Sequence, residues 1–469
     1  MCPGERRPVT APVYRRRRIA VGALVLLLVA AATFAVIGLV GGTDPGGSTT
    51  PAPVARTPQL PPVVNPTPVL AADAGAEPVP DPALLVGMLA PELSDPRLGG
   101  RVNGRVVDVA TGDVLFEQSA DRAVIPASTA KLATALAVES AVPAGLRLST
   151  IVRTGAVPGQ IVLVGGGDPT LSSAAEGNTY PGSATVADLA VQVAAGGLPV
   201  SAILVDSTRF SGPTTGPGWG QGDAPSRYAA PIMATMVDGG RFGPVDDGVR
   251  SGEPDLEAGR ALAAALGVPT APVSAGTAPP GATALAEVRS APVERLVEQM
   301  LSLSDNVLAE ALARQVALAA GQAASFDGAA AAVRSTLEQA GFDLTGAVLV
   351  DGSGLSTANR LSPALLGDIL LAAAGDPGSP GRALMAGLPV AAYDGTLIER
   401  FGESAAGGVV RAKTGTLDGV SALAGVVETA DGRLLVFALV ADQVPLGGRF
   451  PAEAALDEVA TAMAGCGCS

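Results

Sequence analysis

The hydrophobic pattern changes several times along the chain, and its first long apolar run is typical of a membrane-spanning helix. Residues 19–40 are an uncharged apolar run of 22 residues, about 33 Å long as a helix, which matches the hydrocarbon thickness of a bilayer. Four arginines at 15–18 precede it, so the positive-inside rule places residues 1–18 in the cytoplasm. The alternative is a cleaved signal peptide, whose apolar region is usually shorter, about 7–15 residues. We predict a transmembrane anchor at 19–40 after a cytoplasmic basic segment at 1–18.

Residues 41–83 are rich in proline and poor in large apolar side chains, with eleven prolines in this stretch. Such a segment cannot bury enough apolar surface to fold, so we predict a disordered tether. Anchor and tether together predict a single-pass protein of the cell membrane. Its N-terminus would lie in the cytoplasm and its folded part outside.

From residue 84 onward the pattern is that of a folded protein. Alternating apolar positions over 104–116 predict a hairpin around a turn at 110–113. Residues 130–140 are rich in alanine and leucine and predict a helix. Residues 148–288 contain many glycines and prolines and short apolar runs, which indicate a mostly β insertion with a few helices.

The pattern after the insertion is helical and then strand-like. Helical spacing recurs in four segments, 293–303, 305–320, 328–341 and 363–374. An antiparallel meander with turns at 415–419 and 429–432 and a closing helix follow: strands 409–414, 421–427 and 433–440, helix 452–464. Residues 465–469 predict a flexible tail.

Composition and charge exclude several classes of function. The chain has 469 residues, a net charge of −14 and no histidine. An acidic protein offers no basic face to phosphates, so we expect no nucleic-acid partner. The lack of histidine excludes Ser-His-Asp and Cys-His catalysis and histidine-bound zinc. The three cysteines, Cys2, Cys466 and Cys468, are too few for a metal cage, so we expect no metal site.

Lysine is the rare basic residue of this chain. There are 28 arginines and two lysines, Lys131 and Lys413. Arginine stays protonated, whereas a desolvated lysine can lose its proton. A sequence that avoids lysine is expected to keep it where arginine would fail, so these two positions are the first candidates for chemistry.

Each lysine stands in a short polar motif. Ser128 and Lys131 are three residues apart, on one face of a helical turn, where a neutral amine can deprotonate the serine. Lys413-Thr414-Gly415-Thr416 stands at the end of a predicted strand, and Ser304-Asp305-Asn306 lies between two predicted helices. Taken singly, these motifs also fit a helix cap or an exposed lysine before a turn.

Taken in order, Ser-x-x-Lys, Ser-Asp-Asn and Lys-Thr-Gly resemble the three motifs of the penicillin-recognising acyl-serine enzymes. The 176 positions between Ser128 and Ser304 leave room for an inserted domain. That layout, with the segments LVGGGDPTL at 163–171, SDNVLAE at 304–310 and DGSGLS at 351–356, is similar to the penicillin-binding protein 4 type of D-alanyl-D-alanine carboxypeptidase/endopeptidase. The resemblance covers about residues 85–460.

The resemblance implies an α/β (α+β) fold, a transpeptidase/β-lactamase-like domain whose antiparallel sheet is flanked by helices. Residues 84–147 and 289–464 would form this penicillin-binding domain, and the insertion at 148–288 would interrupt it. The implied function is that of a serine-type hydrolase that trims peptidoglycan stem peptides ending in D-Ala-D-Ala and binds β-lactam antibiotics. No metal or cofactor is implied.

The resemblance also assigns roles to the motif residues. Ser128 is the nucleophile, Lys131 is its base, and Ser304 passes the proton to the leaving D-Ala amine. The backbone N–H groups of Ser128 and Thr416 form the oxyanion hole. The remaining residues bind substrate, Asn306 at the amide and the strand residues at the terminal carboxylate: Lys413, Thr414, Gly415 and Thr416.

Two other functions stay open at this point. The same fold can work as a β-lactamase, which differs in how fast water attacks the acyl-enzyme, so turnover of penicillin distinguishes the two. A non-catalytic wall-binding protein is the other alternative. Such a protein has no reason to keep both lysines in an arginine-rich chain.

Overall fold

The computed structural model describes residues 77–143, 145–176, 178–245, 248–375 and 380–467. The predicted basic segment, the predicted anchor and most of the predicted tether lie outside these residues. Within the described ranges, no helix has both the length and the apolar character that a membrane crossing needs.

Five antiparallel strands form the first sheet, in the order β2-β1-β10-β9-β8. In β10, Val436 and Ala438 face one hydrophobic core, whereas Leu435 and Phe437 face a second. Because both faces are covered, the strand is a continuous apolar run rather than an alternating one. The strands are β1 (Val102–Asp108), β2 (Val114–Gln118), β8 (Val410–Leu417), β9 (Val420–Glu428) and β10 (Leu434–Ala441).

Helices cover the two faces of this sheet. On one face lie α1 (Pro82–Leu93) and α10 (Arg449–Ala464). The larger core on the other face contains α2 (Lys131–Ala141), whose first eight residues are all buried. The other helices of this core are α5 (Val293–Ser302), α6 (Asn306–Ala319), α7 (Phe326–Gln339), α8 (Pro363–Gly375) and α9 (Arg382–Gly387).

The residues between α2 and α5 form the second sheet, in the order β6-β5-β4-β3-β7. Strands β4, β5 and β6 are parallel, and β3 pairs antiparallel with both β4 and β7. Helices α3 (Val186–Ala195) and α4 (Pro254–Ala265) follow β4 and β5 and share a core with the sheet. The strands are β3 (Arg147–Thr154), β4 (Gln160–Gly165), β5 (Ala202–Asp206), β6 (Val273–Ala275) and β7 (Ala284–Pro292).

The observed elements differ from the predicted ones at places that matter for the site. Strand β8 continues to Leu417, so the turn predicted at 415–419 is wrong over its first residues and Lys413 lies inside the strand. Ser128 lies on a 3-10 turn (Ala127–Ala130) that precedes α2. At the other end of the chain, Cys466 is buried in the core beside α10 and is disulfide-bonded.

Candidate active site

The first motif lies on one tight turn at the start of α2. Ser128 is half-buried on this turn, and Lys131 is the first residue of the helix. The Pro126 carbonyl accepts hydrogen bonds from the Thr129 N–H (3.3 Å) and hydroxyl (2.6 Å), which closes the turn. Lys131 Nζ lies 2.9 Å from Ser128 Oγ. The amine is therefore within direct reach of the serine proton.

Lys131 is fully buried, and its amine has two further partners. Nζ donates to Asn306 Oδ1 (2.6 Å) and to the Ser353 carbonyl (2.7 Å). Burial lowers the pKa of Lys131 from 10.5 to about 8, although nearby carboxylates act in the opposite direction. About a tenth of the amine is therefore neutral at pH 7.

The second lysine lies against the second serine. Lys413 is also fully buried, and its Nζ donates to Ser304 Oγ (2.8 Å) and to the Thr414 carbonyl (3.0 Å). Burial holds the pKa of Lys413 well below its ordinary value, and the positive charge of Lys131 lowers it further. The site thus contains two serine–lysine pairs, one at the start of α2 and one that joins the segment between α5 and α6 to strand β8.

Asp305, the middle residue of its motif, is held by side chains from the second-sheet part of the chain. Its Oδ2 accepts hydrogen bonds from Tyr180 Oη, Arg241 Nη2 and Arg250 Nη2, each at 2.8 Å. Its Oδ1 accepts from the Leu308 N–H at 3.0 Å and so caps α6. Burial alone would raise the pKa of Asp305, but the two guanidinium groups hold it well below its usual range. This cluster orients the serine and the asparagine on either side of Asp305.

A loop behind Lys131 supplies the carbonyl partner of its amine. Glu310 Oε1, from α6, accepts from the N–H groups of Gly352 and Ser353 at 3.0 and 2.9 Å. These bonds hold the Ser353 carbonyl in place for Lys131. Glu310 is buried and pairs with Arg314 (3.3 Å). Burial raises the pKa of Glu310 to about 7.

Two glycines let other segments approach the Ser128 turn. Gly354 has φ +77°, and an added Cβ would lie 1.9 Å from the Ala127 carbonyl oxygen. At Gly415, in β8, an added Cβ would lie 2.9 Å from the Pro126 carbonyl oxygen and 3.2 Å from Thr129 Cγ2. A larger residue at either position would push the loop or the strand away from the turn.

The threonines of β8 are half-buried and fixed by hydroxyl contacts. Thr414 Oγ1 donates to Thr396 Oγ1 at 3.0 Å, and Thr416 Oγ1 donates to Glu453 Oε1 at 2.9 Å. The structure therefore brings the serine and lysine of the first motif, the Ser304-Asp305-Asn306 segment and the residues of β8 around one centre.

Several residues of this centre could not be identified as site residues from the sequence. Glu310 is the only acidic residue of the mostly apolar α6, which is a usable sign of a buried, partnered carboxyl. Arg241 and Arg250 are two among 28 arginines, and Tyr180 lies in an irregular segment. Ser353 belongs to a glycine-rich stretch that also fits a simple tight turn.

The arrangement fits one kind of chemistry, the attack of an activated serine on a carbonyl. A hydroxyl lies beside an amine that burial makes partly neutral, and a second hydroxyl–amine pair lies next to it. Within the ranges that the structure describes, no three histidine, cysteine or acidic side chains are placed together as metal ligands. The expectation that no cofactor is needed stays a prediction. Fold and site together define a serine acyl-transfer enzyme.

The chain matches the D-Ala-D-Ala carboxypeptidase 3 (S13) family over residues 85–245 and 243–463, and it belongs to that family. It is 41% identical over 460 residues to a carboxypeptidase of Mycobacterium tuberculosis, covering 96% of this chain and 97% of the relative. It is also 41% identical over 464 residues to carboxypeptidase DacB of Mycolicibacterium smegmatis, covering 97% and 98%. The protein is thus a serine-type D-Ala-D-Ala carboxypeptidase, a hydrolase.

The fold has a solved counterpart. Penicillin-binding protein 4 from Haemophilus influenzae aligns with a TM-score of 0.67 and 20% identity, covering 80% of this chain and 97% of that chain. At this identity the match shows a shared fold. The predicted resemblance to the penicillin-binding protein 4 type and the mixed α/β architecture are therefore confirmed.

Proposed function

We propose that this carboxypeptidase removes the terminal D-Ala of peptidoglycan stem peptides through an acyl-enzyme on Ser128. The observation that carries the proposal is the 2.9 Å contact between Ser128 Oγ and the buried Lys131 amine. Because burial lowers the pKa of this lysine to about 8, the neutral amine takes the hydroxyl proton as Oγ attacks the penultimate D-Ala carbonyl. Water then releases the acyl group and restores the serine.

The pair of Ser304 and Lys413 acts on the leaving group and binds the substrate carboxylate. Ser304 passes the proton to the departing D-Ala amine, and Lys413 lies 2.8 Å behind its hydroxyl. The arrival of the substrate's terminal carboxylate favours the protonated form of Lys413, because an opposite charge stabilises the ammonium. Thr414 and Thr416 complete the carboxylate site. Asn306, whose Nδ2 donates to the Tyr228 carbonyl at 3.1 Å, binds the substrate amide.

The backbone of β8 supports an oxyanion hole at Thr416. On the outer side of this edge strand, the Ala412 N–H donates to the Pro389 carbonyl at 2.9 Å. Every second residue of a strand presents its N–H to the same edge, so the Thr416 N–H faces outward as well. Together with the Ser128 N–H it would hold the oxyanion, and one such donor is worth about 3–4 kcal/mol. An extended stem peptide would pair along the same edge.

Labelling with a fluorescent penicillin tests this mechanism, because β-lactams would acylate the same serine. We expect the full chain to be labelled and Ser128→Ala to lose the label completely. Ser140→Ala is the matched control, a serine on α2, the helix that follows the Ser128 turn, whose hydroxyl donates to the Leu136 carbonyl. A label that survives in Ser128→Ala would overturn the assignment.

Product analysis separates the related activities. Release of D-Ala from a peptide ending in D-Ala-D-Ala measures carboxypeptidase activity, and cleavage of a cross-linked peptide pair measures endopeptidase activity. Rapid turnover of penicillin, rather than a persistent label, would identify a β-lactamase.

We also propose that residues 19–40 anchor the protein in the cell membrane and that the proline-rich residues 41–76 tether the catalytic part outside the cell. The uncharged apolar run and the arginines before it support this topology. A chain that begins at Glu77 keeps the Asp81 cap of α1 and the bond from Arg433 to the Glu77 carbonyl. We expect it to be soluble and labelled by penicillin. Recovery of the full chain in the soluble fraction without detergent would contradict the anchor.

A further inference from the structure

A cavity lies outside the Ser128 site, in the second-sheet part of the chain. Its volume is about 340 Å³, and its lining includes the residues that directly follow β5 and β6. It therefore opens at the carboxyl ends of parallel strands, the position at which open α/β sheets bind ligands. The volume falls at the lower end of the range of small-molecule sites.

A buried carboxyl lines this cavity without a full set of partners. Asp255, in the first turn of α4, is 8% exposed, and its Oδ1 accepts from the Leu256 N–H at 2.9 Å. Among the described residues, its Oδ2 has no hydrogen-bond donor. Oδ2 is therefore left as a free acceptor for a ligand in the cavity.

The remaining lining identifies the class of ligand. Three hydroxyl side chains line the cavity: Ser211, Thr214 and Thr277. Their hydroxyl groups make no hydrogen bond within the described residues. Phe210 and Met233 supply an apolar wall, and none of the described lining residues is a lysine or arginine. An anionic ligand would find no positive charge. Hydroxyl groups beside an aromatic wall and one carboxyl acceptor fit a neutral ligand that has both many hydroxyls and apolar C–H faces, which is a sugar.

The cavity lies within a short reach of the catalytic centre. Tyr228, whose carbonyl accepts from Asn306 Nδ2, is four residues before Ile232, which lines the cavity. Four residues span at most about 14 Å, at roughly 3.3–3.6 Å each. The cavity wall at Ile232 is therefore at most about 14 Å from the backbone that contacts Asn306, a distance that an extended peptide of four or five residues spans.

We infer that this cavity binds a sugar unit of the glycan strand to which the stem peptide is attached. The inference rests on the proposed function, because it takes the sugar and the cleaved peptide to belong to one substrate. It gives the second-sheet part of the chain a role in substrate binding. This role is separate from the contacts that Tyr180, Arg241 and Arg250 make with Asp305.

The test compares one stem peptide with and without its disaccharide as a substrate of the full chain. We expect Asp255→Ala to raise KM for the disaccharide-linked peptide about tenfold with kcat unchanged, and to leave KM for the free peptide unchanged. Asp327→Ala is the matched control, an acid in the first turn of α7 that is exposed. Equilibrium dialysis with the radiolabelled, peptide-free disaccharide of peptidoglycan should show saturable binding that Asp255→Ala weakens about tenfold.

Penicillin labelling keeps the two proposals distinguishable. If wild type is labelled at Ser128 but neither binds the disaccharide nor prefers the linked peptide, the sugar site is refuted and the proposed function stands. Binding of the free peptide that weakens in Asp255→Ala and with added salt would instead identify an amine-bearing peptide as the occupant, which also refutes the sugar. If penicillin does not label the wild-type chain, the proposed function itself is refuted.

A second variant covers the case in which Asp255→Ala fails to fold. Thr277→Val removes one lining hydroxyl, on an exposed loop residue after β6, and keeps the shape of the side chain. We expect a fall in disaccharide affinity of about threefold or more with normal penicillin labelling. Unchanged affinity in this variant would count against the sugar.

Discussion

Lowering the pH from 8 to 6 should slow acylation about 50-fold, because it protonates Lys131. With a pKa of about 8, about half of the enzyme holds the neutral amine at pH 8 and about 1% holds it at pH 6. The lowered pKa disfavours the charged form, so activity is present above it and is lost below it. With the unshifted value of 10.5, the neutral fraction at pH 8 would be about 0.3% and would keep rising tenfold per pH unit through pH 9.

The assay is the rate of labelling by a fluorescent penicillin under pseudo-first-order conditions, from pH 5.5 to 9.5 at constant ionic strength. Thermal unfolding at each pH shows whether the protein stays folded. We expect the rate to climb from low pH and to level off a little above pH 8. A rate that rises steadily through pH 9, or one that is flat between pH 6 and 8, would refute the reasoning.

Glu310, whose charge acts on Lys131, also titrates in this window, since burial raises its pKa to about 7. Glu310→Gln keeps an oxygen for the N–H groups of Gly352 and Ser353 and removes a negative charge that raises the pKa of Lys131. The climb in rate should therefore move to lower pH in this variant. If the rate no longer rises with pH in this variant, the pH dependence belongs to Glu310 instead of Lys131.

Three further substitutions test the site. Lys131→Arg should lower the acylation rate about 10³-fold or more, because a guanidinium cannot release its proton, whereas Lys413→Arg keeps the charge and should lower it less. Gly354→Ala should destabilise the fold by more than about 2 kcal/mol and abolish labelling, since the new Cβ meets the backbone of the Ser128 turn. Asp305→Asn should cost about 3–5 kcal/mol in thermal unfolding, because it removes the negative charge that two buried guanidinium groups share.

For each of these substitutions, one result would contradict the prediction. Acylation rates of the two arginine variants that agree within a factor of two would refute their different roles. Gly112 also has φ +77° but open space around it, so Gly112→Ala should cost only about 1–2 kcal/mol and keep labelling. Equal losses at the two glycines would refute the close approach. Wild-type stability in Asp305→Asn would show that its ion pairs contribute nothing.

The core elements of the fold could be predicted where local pattern and burial agree. Strands β9 and β10 and helices α2, α6 and α8 were predicted within a few residues, because each is a long apolar or alanine-rich run between glycine or proline breakers. Helices α1, α3 and α9 were missed. Helix α9 has only six residues, and α1 and α3 lie next to proline- or glycine-rich segments whose composition favours a loop.

The boundary of β8 shows why the sequence was insufficient at the site. Glycine and threonine after Lys413 favour a turn by local preference. In the structure, Gly415 and Thr416 continue the strand because they pair with Ala422 and Ser421 of β9. The absence of a side chain at Gly415 is what lets the strand lie against the Ser128 turn.

The sequence by itself determined the chemistry of this protein, because catalysis needs particular functional groups and the chain has no histidine and only two lysines to supply them. The motif order around these lysines was enough to recognise the enzyme class. The tertiary structure alone decided how those groups are tuned. Burial sets the pKa of each lysine, and the contacts of Asp305 with Arg241 and Arg250 join residues more than 50 positions apart. Such contacts depend on how the two sheets and the helices pack, and no local pattern in the sequence records them.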